Sequence, residues 1–269
     1  MRKALVGALM LLFLLPGNSR SEDHYDLDVH FIDVGQGGAV LIQFKGKNIL
    51  YDCGDTPMGK EVVEYLKDQK VKIIDLLIAS HAHKDHIGGC IHVMEKVEVK
   101  KVYDNGSKSK TRTYKKFKEL ARNREYETVT KDFKEGPLEF LVAYDTREKL
   151  SEADRSILVK LVHNKVSFLF TGDCEKACEH EVLKESNVDV DILLVGHHGS
   201  NDSSTREFLE KVTPKIAVVQ VGAGNPYEHP RKEALQRLNT VGARIYRTDQ
   251  DGTVVIRSDG RDIDVETEK

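Results

Sequence analysis

A chain of 269 residues with 39% apolar and 32% charged residues has material for one large core or two smaller ones, which excludes a disordered or low-complexity protein. A formal net charge of -3 announces no polyanion partner by itself. Four cysteines in so long a chain exclude a fold built on a dense disulfide framework.

The chain opens on MRKALVGALMLLFLLPGNSRS, two basic residues followed by an apolar run and then small polar residues. As a helix, the run from Ala4 to Leu15 spans roughly 18 Å, short of the roughly 30 Å hydrocarbon core. The expectation is a signal peptide over residues 1–21, cleaved near Ser19 to Ser21, and a mature chain over 22–269 with no permanent membrane span. The implied location is secreted or periplasmic, with an uncleaved anchor as the alternative.

From Leu27, LDVHFIDV, AVLIQF and KNILYD alternate apolar and polar residues between glycine turns, which predicts three successive strands. The pattern GKEVVEYLKDQ predicts a helix and IIDLLIAS a buried strand ending at Ser80. Further strands are expected at VKKVYD, PLEFLVAY, SILVKLVH, VSFLFTG, VDILLVG, KIAVVQVG, ARIYRT and GTVVIRS. Helices are expected at DHIGGCIHVMEKV, TYKKFKELARN, CEKACEHEVLKE, STREFLEKV and RKEALQRLN. This alternation reads as an α/β domain of two mixed sheets with helices outside. Residues 100–124 are rich in Lys and Arg, with only Asp104 and Glu119 against them. Such a run binds phosphates or is a solvated helix face. Cys174 and Cys178 are four apart on one expected helix, a spacing that seldom meets disulfide geometry, so all four cysteines are read as buried small apolar residues.

The chemistry concentrates in SHAHKDHIGG, residues 80–89. His81 and His83 leave the end of a buried strand, and Asp85 and His86 follow at the mouth of the next helix. Two imidazoles make half of a tetrahedral metal site, and an aspartate with a third imidazole starts a second. Asp173 ends VSFLFTGD, where one carboxylate can bridge two cations. His197 and His198 follow VDILLVG, one suited to ligation and the other to proton donation.

In order, FIDVGQGGAVLIQ, YDCGD, SHAHKDHIGG, FLFTGD, GHHGS and NPYEHP resemble the metallo-β-lactamase superfamily, in its branch related to the extracellular domain of the DNA-uptake competence channel. The resemblance runs from Leu27 to Gly260 and implies an αββα sandwich. It assigns His81, His83 and Asp173 to one metal, and Asp85, His86, Asp173 and His198 to the other. It makes His197 a proton donor or substrate-binding residue and places His229 in the substrate pocket. Asp52 is expected to hold the metal loop from behind. The superfamily's usual third histidine of the first site has no good counterpart in His92 or His163. The branch points instead to Asp154 in EADRSILVK, an exposed turn acid being the other reading.

The resemblance implies two divalent cations, zinc with manganese as the alternative, and catalytic roles for Asp85, His197 and His229. A divalent metal lowers the pKa of water from about 15.7 toward about 7, which supplies hydroxide at neutral pH. Three functions follow: a phosphodiesterase or nuclease holding phosphates on residues 100–124; a hydrolase of small esters, phosphoesters, lactones or β-lactams; and a non-catalytic accessory of DNA uptake.

Overall fold

The computed structural model describes residues 25–143 and 150–269; the expected signal peptide lies outside them. Among the described residues no helix is long and apolar enough to cross a membrane. The first sheet contains β1 (Leu27–Phe31), β2 (Val40–Phe44), β3 (Lys47–Tyr51), β4 (Ile73–Ile78), β5 (Glu98–Asp104), β6 (Glu125–Thr128), β14 (Val254–Ser258) and β15 (Ile263–Thr267). Its order is β15-β14-β1-β2-β3-β4-β5-β6. The second contains β7 (Phe133–Glu135), β8 (Leu138–Val142), β9 (Ile157–His163), β10 (Val166–Phe170), β11 (Ile192–Leu194), β12 (Ile216–Val219) and β13 (Arg244–Arg247), in the order β13-β12-β11-β10-β9-β8-β7.

Period-two alternation sorts the side chains into layers. Leu27, Val29 and Phe31 of β1 meet Val166, Phe168 and Phe170 of β10 in the core between the sheets. The opposite face of the first sheet, with Leu41, Leu50, Leu77 and Val102, is covered by α1 (Gly59–Asp68), α2 (Lys84–Lys96) and α3 (Arg112–Ala121). Leu158, Leu169, Leu193 and Ala217 of the second sheet are covered by α4 (Lys176–Glu185), α5 (Arg206–Val212) and α6 (Lys232–Thr240). A single turn, α7 (Thr248–Asp251), joins β13 to β14. The architecture is the expected αββα sandwich.

Each sheet is antiparallel in one part and parallel in the other: β3, β4, β5 and β6 run parallel, as do β10, β11, β12 and β13. Ligand sites in such sheets form beyond the carboxyl ends of parallel strands. Those of β3, β4, β10 and β11 lead directly to Asp52, His81, Asp173 and His198. Two hydrogen bonds tie the sheets together here, from Tyr51 Oη to the Ile157 carbonyl (2.8 Å) and from Ile157 N–H to the Ser80 carbonyl (2.9 Å).

Glu179 on α4 is buried and accepts from the backbone N–H groups of Ser204 and Thr205, at the start of α5. Burial raises its carboxyl to about 7, the backbone donors offsetting only part of that push. The folded state therefore holds a proton that the unfolded chain has released. The stabilisation is complete below the unfolded pKa and is lost as pH rises through about 7, on the order of 3 kcal/mol in all. Urea midpoints of the metal-free protein are expected to fall between about pH 5 and pH 8, and Glu179→Gln is expected to flatten that slope.

Candidate metal centre

The strand β4 ends at Ile78, and the loop after it delivers His81 and His83 before α2 begins at Lys84. Gly88 and Gly89 let α2 approach the loop after β3: a Cβ on Gly89 would overlap the Cys53 carbonyl, and one on Gly88 the Thr56 backbone nitrogen. That approach sets His86 Nδ1 2.7 Å from Asp52 Oδ2. Asp52 also accepts from Ser80 N–H (2.8 Å) and Ser80 Oγ (2.7 Å), so one carboxylate ties His86 to the loop carrying His81.

Ligand atoms of His81, His83 and Asp173 lie within 4.8 Å of one another, as do those of Asp85, His86 and His198. Asp173 stands between the groups. Its Oδ2 is 3.4 Å from His81 Nε2, while its Oδ1 is 3.0 Å from His86 Nε2 and 3.5 Å from His198 Nε2. His198 Nε2 is also 3.5 Å from Asp85 Oδ2.

The hydrogen bonds test whether cations fit these groups. His86 Nε2, His198 Nε2 and Asp173 Oδ1 are buried without a hydrogen-bond partner. The other nitrogen of each imidazole is engaged, His86 Nδ1 by Asp52 and His198 Nδ1 by the Gln220 carbonyl at 2.8 Å. Buried nitrogens aimed at an unsatisfied carboxylate oxygen, with their rings fixed from behind, are the donor set of a divalent cation.

The electrostatics agree. Burial pushes the Asp173 carboxyl up, but His86, His198 and His81 outweigh it and hold the carboxyl well below the usual carboxylate range. Burial pushes His86 down, yet Asp173 and Asp52 prevail and raise it well above the ordinary imidazole value. The carboxylate is thus ionised where a bridge between two cations would require it.

A model of the metallo-beta-lactamase superfamily matches residues 32–222. The chain belongs to that superfamily. Members are metal-dependent hydrolases that typically hold two divalent cations, in keeping with the two groups around Asp173. The chain is 31% identical over 280 residues to ComE operon protein 3 of Bacillus subtilis (strain 168), covering 94% of this chain and 35% of that protein. It is 29% identical over 226 residues to Competence protein ComA of Neisseria gonorrhoeae, covering 82% of this chain and 31% of that protein. The chain spans about a third of the length of the curated relatives it matches. The crystal structure of the metallo-beta-lactamase fold protein YhfI from Bacillus subtilis superposes with a TM-score of 0.56 at 13% identity, covering 87% of this chain and 100% of that one, a likeness of fold.

Within the superfamily site, Gln36, His83, Lys84, Asp85, Asp173, His197, His198, Tyr227 and His229 line an open pocket of about 350 Å³. His197 and His198 both adopt the left-handed conformation, with φ of 46° and 53°, and this brings two adjacent side chains to one carboxylate. His197 Nε2 lies 3.7 Å from Asp173 Oδ2, and its Nδ1 lies 2.7 Å from Glu175 Oε1. His229 enters from beyond β12, its ring centroid 5.6 Å from that of His197. Burial first, then His197 and His198, lower the His229 imidazole to about 4, so it is neutral at pH 7.

Asp154 does not join the cluster. It is buried, and its oxygens are taken by Ser151 Oγ (2.8 Å) and by the Cys178 N–H at the start of α4 (3.1 Å). It is a structural carboxylate, neither a ligand nor an exposed turn acid. The cysteines also depart from expectation: Cys53 pairs with Cys90 and Cys174 with Cys178. Because α4 starts only at Lys176, Cys174 lies outside the helix, and its Cα comes within 5.4 Å of that of Cys178.

The basic run divides in two. Lys100 pairs with Asp75, Lys101 with Glu125 and Glu127, and Arg124 donates to the Leu120 and Met94 carbonyls. Lys108, Lys115, Lys118 and Arg122 line a separate groove with Ser107 and Tyr114. Glu152 joins this groove to the metal loop, accepting from Ala82 N–H (3.1 Å) and Ser107 Oγ (2.8 Å). Neither Glu152 nor Glu175 carried a sequence signal, since each is one acid among many in a polar stretch.

Proposed function

We propose that this chain is a zinc-dependent phosphodiesterase that cleaves nucleic acid outside the cytoplasmic membrane. The observation that carries the reading is Asp173, a buried ionised carboxylate with one oxygen toward His81 and the other toward His86 and His198. A donor set dominated by imidazole nitrogen suits zinc; the two aspartates keep manganese as the alternative. When bound, the cations supply Lewis acidity to a phosphoryl oxygen and activate water for attack.

The chain's own residues supply the rest. Asp52 and the Gln220 carbonyl fix the ring nitrogens of His86 and His198 that face away from the centre, and Ser80 Oγ, 2.9 Å from His81 Nδ1, does the same for His81. Asp85, His197 and His229 stand on the pocket side, and neutral His229 offers the substrate a hydrogen bond. The groove of Lys108, Lys115, Lys118 and Arg122 gives the flanking phosphates a place to lie, next to the metal loop. Two disulfides support an oxidising location, and the names of the competence relatives support a role in DNA uptake.

The test is to load the protein separately with zinc and manganese and to assay bis-(p-nitrophenyl) phosphate, single-stranded DNA and a chromogenic β-lactam. Cleavage of the two phosphodiesters is expected, with the DNA reaction falling steeply as salt rises. Hydrolysis of the β-lactam alone would overturn the substrate, and tight metal binding without any turnover would favour an accessory role.

A further inference from the structure

With Asp154 engaged elsewhere, the two halves of the centre are unequal. His86 and His198 face one oxygen of Asp173 and are grouped with Asp85, whereas among the described residues His81, which faces the other oxygen, is grouped with His83 alone besides Asp173. One more imidazole faces that second oxygen: His197 Nε2 is 3.7 Å from Asp173 Oδ2, against 3.4 Å for His81 Nε2. We infer that His197, through Nε2, completes the first metal site alongside His81, His83 and Asp173, with Glu175 fixing its ring.

Three features of the chain carry this assignment. His197 is built as His81, His86 and His198 are, with Nδ1 engaged from behind and Nε2 turned toward Asp173; Glu175 does for it what Asp52 does for His86 and the Gln220 carbonyl for His198. A carboxylate behind an imidazole is the usual support of a metal-binding histidine. The backbone is arranged for it as well. Consecutive left-handed residues are sparsely populated, and here they send His197 to one oxygen of Asp173 and His198 to the other. Hydrogen bonds from His197 N–H to the Gly172 carbonyl (3.1 Å) and from Ser200 N–H to the His197 carbonyl (2.9 Å) hold that turn. Finally, Glu175 lies two residues after Asp173, so one short segment places the bridging carboxylate and the support of His197 together.

The inference rests on the two-metal part of the proposed function and not on its substrate, so metal binding tests it without turnover. The whole chain, stripped with EDTA, is titrated with cobalt, read by its visible absorption, and with zinc, read by competition with a chromophoric chelator. Wild type is expected to take up two equivalents. His197→Ala is expected to weaken one site by at least about 100-fold and to leave the other within about 3-fold. Glu175→Gln is expected to weaken the same site by about 10- to 100-fold, and Asp154→Asn to leave both sites unchanged. Two sites of wild-type affinity in His197→Ala would overturn the assignment and leave His197 acting on the substrate, even if turnover fell. Equal loss of both sites in His197→Ala and Glu175→Gln would also overturn it, as the mark of a general disturbance.

Discussion

Asp173→Asn is expected to lower phosphodiester turnover by at least about 10³-fold, equivalent to about 4 kcal/mol of transition-state stabilisation, and to reduce bound metal below two per chain. The size follows from its position. Both oxygens are used, one toward His81 and one toward His86 and His198, and an amide offers a single weaker acceptor beside a donor that repels cations. Loss of the negative charge also leaves the cations with less compensation in a buried place. The sandwich itself should survive, because the core between the sheets does not include this residue. The clearest readout is the thermal shift on adding zinc. Wild type should gain stability in proportion to RT ln(1 + [L]/Kd), whereas Asp173→Asn, measured from its own metal-free midpoint, should lose most of that gain. Retention of both cations by Asp173→Asn would contradict the bridge.

Most of this centre was legible because its residues sit where buried strands end. An apolar run such as IIDLLIAS or VSFLFTGD fixes the carboxyl end of a buried strand, and a polar residue directly after it is one that the fold must bury with a partner, so SHAHKDH and Asp173 stand out in the sequence. The strands that were missed share one physical cause. β6, β7 and β15 each lie at an edge of a sheet, where only one side of the strand is paired and EYET, FKE and IDVET carry just one or two apolar residues each, too few to mark a buried strand. Asp154 misled for a different reason. Its place before a strand matches a ligand's place in sequence, but the direction of its side chain depends on Ser151 and on the start of α4. Cys174 departs from expectation because the helical pattern of the sequence begins two residues before α4 does, a helix end being the least determinate part of such a pattern.

Removing the Cys53–Cys90 disulfide is expected to cost about 4 kcal/mol of stability and to weaken the metal site containing His86 by about 10- to 100-fold. The first figure comes from chain entropy: the bond closes a loop with a sequence separation of 37, so its loss frees many conformations of the unfolded chain. The second comes from where the bond lies. Cys53 follows Asp52 directly, and Cys90 stands one turn beyond His86 on α2, so the disulfide clamps together the carboxylate and the imidazole that it orients. Backbone bonds from Cys53 N–H to the His86 carbonyl (2.8 Å) and from Gly89 N–H to the Gly54 carbonyl (2.9 Å) share this task, which is why the metal effect should be partial. The Cys174–Cys178 bond spans a separation of only 4, and its loss should cost less, about 2 kcal/mol on the same model. Urea denaturation of Cys53→Ser/Cys90→Ser and of Cys174→Ser/Cys178→Ser, each with and without zinc, separates the two contributions. In the first variant zinc should restore part of the lost stability, because the cation holds His86 once the disulfide no longer does. An unchanged midpoint and unchanged zinc affinity in that variant would show that the backbone bonds suffice.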